Sequence, residues 1–217
     1  MVKLQLNSSG TYTDLISLAT AKSFLRITNS AEDTLITSFI SAGIQVAENY
    51  TNSRFLETTY TMFMETWDDV YVSNNYTTSL SNGTYLTTGG YVGKDGLNQI
   101  VIPYAPLDSI THLKYYDSTD TQITLTENTD YSVHTFINQK GFIEIQKSIT
   151  FPTIYDRADA IEIKFKAGYG GASKVPEAIK SAILLIIGFM YEKREDSVSR
   201  LPKASEYLLD PYRFKTY

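Results

Sequence analysis

VPEAIKSAILLIIGFMYEKRE, residues 175–195, is the stretch on which the fold turns. Pro176 stands where a first helical turn has no use for an N–H, and Glu177 puts a carboxylate at the positive end of the helix dipole. Lys193 and Arg194 come in the last turn, where cations are favoured. The pattern predicts a helix over residues 176–194, about 28 Å long. Its middle, AILLIIGFM at residues 182–190, is apolar on every side, so it is not a surface helix with one wet face. It is also too short to span a bilayer, which takes about 20 apolar residues. Such a rod must be wrapped by other elements, by other subunits, or by both. Ile179, Ile183, Ile186, Ile187 and Met190 are its expected core or oligomer-facing positions.

Two earlier segments have the right shape to wrap it. Ser17 can cap a short helix over residues 18–27, with Leu18, Ala21, Phe24 and Leu25 on one face. Ser30 can cap a longer one over residues 31–50, with Asp33 as the acidic half of a capping-box-like start. Its stripe is Leu35, Ile36, Phe39, Ile40, Val46, Ala47 and Tyr50, and Ala42 with Gly43 keeps its middle thin enough for another helix to come close. Ahead of both, the first ten residues read as a polar leader.

Between these helices and residue 175 the period changes. TYTMFMETW at residues 59–67 is rich in β-formers and opens a strand-dominated region. Further strands are expected at residues 99–102, 109–116, 122–125, 131–134, 141–146 and 160–166. Asp117 to Asp120 is a turn, and Ala167-Gly168-Tyr169-Gly170-Gly171 leads out of the β region. Residues 68–98 form a long insertion of Thr, Ser, Asn, Gly and Tyr, expected as a loose hairpin or loop less ordered than the strands around it. The expected fold class is α+β: a small helical bundle domain (residues 1–56 and 172–217, with a C-terminal tail) and an inserted antiparallel β-strand domain (residues 57–171).

Composition narrows the function. Tyrosine is the commonest aromatic, 17 copies against 10 of phenylalanine, which leans toward a contact-making surface because tyrosine has an apolar body and a polar tip. A net charge of −5 argues against a sequence-independent grip on nucleic acid. The absence of cysteine rules out a disulfide framework, a thiolate nucleophile and a zinc–thiolate site. No apolar signal core or membrane-spanning run is present, so the expectation is a chain made in the cytoplasm with no membrane partner.

Nothing assembles into a catalytic site. His112 and His134 are the only imidazoles, both on expected strands, without metal-ligand spacing. Residues 89–95, GGYVGKD, are glycine-rich like a phosphate loop, but Thr88 occupies its first glycine position and Asp95 follows Lys94 where Ser or Thr is needed. No nucleophile is set beside a base and an orienting acid. The chain is expected not to be an enzyme, and no cofactor or metal is expected.

The C-terminal residues supply a different signal. Tyr207, Leu208, Leu209, Tyr212, Phe214 and Tyr217 follow a polar linker, with Arg213 and Lys215 between the aromatics. Large apolar anchors with interspersed cations have the composition of a segment that orders on contact. The alternative is that it folds back over its own helical domain.

In order and spacing these parts resemble the head–tail connector (adaptor) proteins of tailed bacteriophages. The segments are SLATAKSFLRI at residues 17–27, acidic Glu32-Asp33, AENYT at residues 47–51, and Pro106-Leu107 with Ile110 before a Tyr-rich strand. Later come AGYG at residues 167–170, Val175-Pro176, Ile179-Lys180, AILL at residues 182–185, YEKR at residues 191–194, Leu201-Pro202 and LDPYR at residues 209–213. The likeness covers residues 17–51 and 104–212 but not the 68–98 insertion.

The resemblance implies a structural protein of the virion neck, made in the host bacterial cytoplasm. It implies a homo-oligomeric ring, commonly of twelve copies, beneath the portal protein, extending the DNA channel and giving downstream tail-completion or tail proteins a docking platform. DNA would pass through without specific binding. It also implies that the C-terminal part reaches toward the portal through Tyr207, Leu208, Leu209, Tyr212, Arg213, Phe214 and Tyr217. Tyr71, Tyr76, Tyr85 and Tyr91 of the insertion are expected to touch a tail protein or a neighbouring copy. The competing expectation is a Tyr-rich carbohydrate- or surface-binding module of a virion.

Overall fold

The computed structural model describes residues 2–67, 99–136, 140–146, 153–193 and 201–214. The fold is α+β, and packing divides the chain into two units. One comprises Met1–Ser8, Thr59–Ala167 and Lys215–Tyr217, and the other Ser9–Thr58 and Gly168–Phe214.

The first unit is built on two sheets. Strands β1 (Lys3–Ser9), β2 (Thr58–Met64), β4 (Leu107–Tyr116), β5 (Gln122–Leu125) and β8 (Ile161–Ala167) form a five-stranded sheet in the order β1-β2-β8-β4-β5. Strands β3 (Gln99–Val101), β6 (Tyr131–His134) and β7 (Phe142–Ile145) form a three-stranded one in the order β3-β7-β6. The two share a core of Met62, Met64, Ile100, Leu113, Ile143, Ile145, Ile163 and Phe165, to which Tyr60 adds a stack on Tyr104 at 4.3 Å between ring centroids.

Strand β8 shows why these residues form a sheet. Ile161, Ile163, Phe165 and Ala167 are buried, while Glu162, Lys164 and Lys166 alternate with them on the wetter face. Its partner β4 looks irregular, because its buried residues Leu107, Ile110 and Leu113 are three apart rather than two. Register shifts between Leu107 and Ser109 and between Ile110 and His112 account for this: each extra residue turns the next apolar side chain back to the core.

In the second unit, α2 (Leu18–Leu25) starts as its sequence predicts, with the Ser17 hydroxyl accepting the Thr20 N–H at 3.1 Å. Helix α3 (Asp33–Thr51) does not. Its N-cap is Glu32 rather than Ser30, without a side-chain cap, and the first turn is tied to α2 by Lys22–Asp33 at 2.6 Å. Helix α4 (Glu177–Glu192) begins after Pro176, which is the N-cap and not a residue of the first turn. A single-turn α1 (Tyr12–Leu15) and a short α5 (Lys203–Leu209) complete the unit.

The N-terminal residues correct one expectation. They are no leader but strand β1, an edge of the larger sheet. Two leucines among polar neighbours gave too weak an alternation to mark a strand.

Candidate interaction surface

The apolar α4 is enclosed mainly by its own unit. Ile36, Ile40 and Ile44 of α3 share a core with Ile179, Ile183, Ile186 and Ile187 of α4 and with Leu209 of α5. Gly43 makes the α3–α4 approach possible: a Cβ there would lie 3.1 Å from Ile187 Cγ1. Gly188 does the same for α2, whose Phe24 ring would stand 3.0 Å from a Cβ at that position. Met190, with Leu184, is only partly buried. The isoleucines therefore serve the subunit's own stability, and what α4 offers a neighbour is confined to its half-covered residues.

The C-terminal segment folds back on this unit. After α5, Asp210–Tyr212 form one 3-10 turn, and the Phe214 N–H then donates to the Thr51 carbonyl at 2.8 Å. The Tyr50 hydroxyl donates to Asp210 Oδ1 at 2.6 Å, and the Arg213 guanidinium lies over the Tyr50 ring, 5.0 Å from its centroid. That bond to Asp210, followed by burial, raises the Tyr50 hydroxyl pKa. Among the expected portal-contact residues, Leu209 and Phe214 are buried in the subunit, Leu208 and Tyr212 are half-buried, and Arg213 is exposed. Tyr207 is 80% exposed, a large aromatic ring with no cover. Tyr217, together with Tyr71, Tyr76, Tyr85 and Tyr91, lies outside the described residues.

Beneath the anchored segment is a buried polar cluster. Glu48 is 5% exposed; its carboxylate accepts the Phe55 N–H at 2.8 Å, and Arg54 Nη1 stands 3.8 Å away. Burial raises the Glu48 pKa above its ordinary value, only partly opposed by that hydrogen bond and by Arg54. The Thr51 hydroxyl donates to the Ala47 carbonyl and is bonded to Ser53 Oγ at 2.7 Å. Tyr169, whose N–H reaches the Phe55 carbonyl, has its hydroxyl pKa pushed up to about 12 by burial. Gly168 carries the chain past this point at φ +116°, where a Cβ would lie 2.3 Å from the Leu56 carbonyl oxygen. The cluster is satisfied from within and holds the turn at the end of α3.

The histidines are strand residues with carboxylate neighbours: His112 Nε2 is 2.7 Å from Glu162 Oε1, and His134 Nε2 is 3.0 Å from Glu144 Oε2. Among the described residues, no group of three or more His, Cys, Asp or Glu is arranged to hold a metal ion, and no helix is long and apolar enough to cross a membrane. Exposed apolar side chains are the features of this surface that suit contacts. One pair of these escaped the sequence reading, Leu4 and Leu6 on β1, 42% and 59% exposed; another residue, Phe24, was expected on the covering face of α2 but is 45% exposed. Leu4 and Leu6 did leave a trace, as the LQL alternation near the start of the chain.

Residues 15–82 match the family described as phage gp6-like head-tail connector protein. No curated protein matches the chain. Among solved structures, the chain is similar to one from the neck of an empty GTA particle computed with C6 symmetry, with TM-score 0.70 and 18% identity over 99% of this chain and 97% of that one. It is similar to another from the neck of the native GTA particle computed with C12 symmetry, with TM-score 0.68 and 17% identity over 99% and 97%. A third, from the virion of the native gene transfer agent (GTA) particle, gives 0.67 and 17% over 99% and 96%. At such identities the likeness is one of fold.

Proposed function

We propose that this chain, whose residues 15–82 match the phage head–tail connector family, works as one subunit of a ring beneath the portal at the neck of a virion. It is a structural component and not an enzyme, in keeping with that family and with the neck chains it resembles. The observation that carries the ring is the likeness over 99% of the chain to subunits of necks computed with C6 and C12 symmetry. A net charge of −5, multiplied around such a ring, suits a channel through which DNA slides without sticking.

Portal docking is assigned to the face around Tyr207, with Leu208, Tyr212 and Arg213 beside it. Leu209 and Phe214 act from below, holding α5 in place rather than reaching outward. Burying one exposed tyrosine contributes on the order of 2 kcal/mol per subunit, and repetition around a ring makes such contacts collectively strong. Truncation of residues 211–217 is not a clean test, because it removes Phe214 from the core. Tyr207→Ala is cleaner. The variant should fold normally yet leave DNA-filled heads without attached connector in a pull-down on purified portal or heads. A Tyr207→Ala protein that binds heads as well as the native chain would overturn the docking assignment. Light scattering of the native chain with and without portal protein tests the ring itself.

A further inference from the structure

Strand β1 is exposed at all seven of its positions, Leu4 and Leu6 included, and among the described residues it is an edge of the five-stranded sheet. Every second residue of such a strand directs its N–H and C=O away from the sheet, which makes an edge a template for another strand. Natural sheets guard against this with charges, proline or bulges at the edge. In β1 the sequence KLQLNSS has one charge, at its first residue, and no proline. Leu4 and Leu6 are two apart, so they lie on one face of the strand and present a small apolar strip beside the open edge.

The opposite edge among the described residues is β5, QITL, which carries no charge at all. Rings of more than two subunits require two different surfaces of one subunit to meet, because a head-to-tail contact is what closes them. The five-stranded sheet has two such surfaces on its opposite sides. The other described edge strands, β3 and β6, have no exposed residue in their burial patterns. From these observations, and resting on the ring reading above, we infer that β1 of one copy pairs with β5 of the next, joining the sheets of neighbouring subunits by main-chain hydrogen bonds. The four residues of β5 limit the pairing to about 13 Å of strand. Leu4 and Leu6 are then covered by the neighbour.

The chain contains no cysteine, so any disulfide must come from introduced residues. Gln5→Cys and Leu6→Cys would each be combined with Thr124→Cys in the full-length protein, covering both faces of β1. Particles carrying these chains would be oxidised mildly and run on non-reducing gels. One of the double variants should give a ladder of chain multiples, while single variants should give dimers at most. In parallel, Leu4→Lys with Leu6→Lys should abolish oligomers while leaving the melting temperature of the free subunit within a degree or two, since both side chains are already exposed. Rings without a ladder in either double variant would overturn the β1–β5 pairing and leave the ring reading standing. Absence of any oligomer in particles or with portal protein would overturn both. An unaltered oligomer in the Leu4→Lys/Leu6→Lys protein would also defeat the pairing.

Discussion

Helix α4 runs from Ala182 to Met190 without a polar side chain and hides its isoleucines inside its own unit; β1 has only Leu4 and Leu6 and leaves both exposed. By sequence hydrophobicity the helix is the more obvious candidate for a subunit interface. In the folded subunit the isoleucines of that helix are covered, while the two leucines of the strand stay exposed. Apolar content states that something must be covered, and only the fold states by what. Where α3 and α5 supply the cover, the residues stabilise the subunit, and where side chains stay exposed, they are free to make contacts.

Substitutions should therefore separate into two classes, and the sharpest test lies in α4. Ile186→Asp places an unpaired carboxylate where the native side chain is 1% exposed, at a cost of several kcal/mol. Circular dichroism should show an unfolded or molten helical unit. A native-like, cooperatively melting Ile186→Asp protein would break the comparison outright.

Phe214→Ala comes next. The ring is 4% exposed, so its removal should destabilise the protein by about 3 kcal/mol in urea titration, as a buried phenylalanine does. A loss under about 0.5 kcal/mol would return Phe214 to the class of free anchors.

A smaller, pH-dependent effect should come from Glu48. Because burial raises its folded pKa above the ordinary 4.5, the folded state holds this proton more tightly than the unfolded chain. The stabilisation is fully present below the ordinary value and is lost as pH rises through the raised one. Glu48→Gln keeps an oxygen for the Phe55 N–H and never ionises, although it gives up the attraction of Arg54. Its melting temperature relative to the native protein should rise between pH 4 and pH 7. A difference that stays constant or falls over that range would contradict the assignment.

The smallest effect belongs to β1. Leu4→Ser with Leu6→Ser should change subunit stability far less than either core substitution, by less than about 1 kcal/mol, because both side chains are already exposed. A loss of 2 kcal/mol in the free subunit would show that these leucines support the fold after all.

The sequence made some elements plain and left others dark for physical reasons. Helices α2 and α4 announce themselves through Ser17 and through an apolar run too long to be a strand. Strand β8 is legible because its alternation is complete over seven residues. Strand β4 is visible in its β-branched and aromatic content, but the shifts that give it a three-residue spacing depend on its partner's register. Glu32 displaced Ser30 as the N-cap of α3 because a tertiary ion pair, Lys22–Asp33, fixes that first turn. The C-terminal aromatics show the limit most clearly. Tyr207 and Phe214 look alike as members of an aromatic-basic tail, yet one is almost fully exposed and the other buried. Only the return of the chain to the Thr51 carbonyl tells them apart.

That the core of one unit is shared between α3 and α4 also fixes a schedule for synthesis. Helix α3 ends at Thr51 and α4 begins at Glu177, so the stripe of Ile36, Ile40 and Ile44 emerges from the ribosome long before its partner exists. At about 5–20 residues per second, translating the intervening residues takes roughly 6–25 s. During that interval the growing chain carries an uncovered apolar helix, the kind of surface that chaperones bind and that aggregates at high expression. Slowing translation within the β region should therefore lower the soluble yield of this protein more than slowing it after α4.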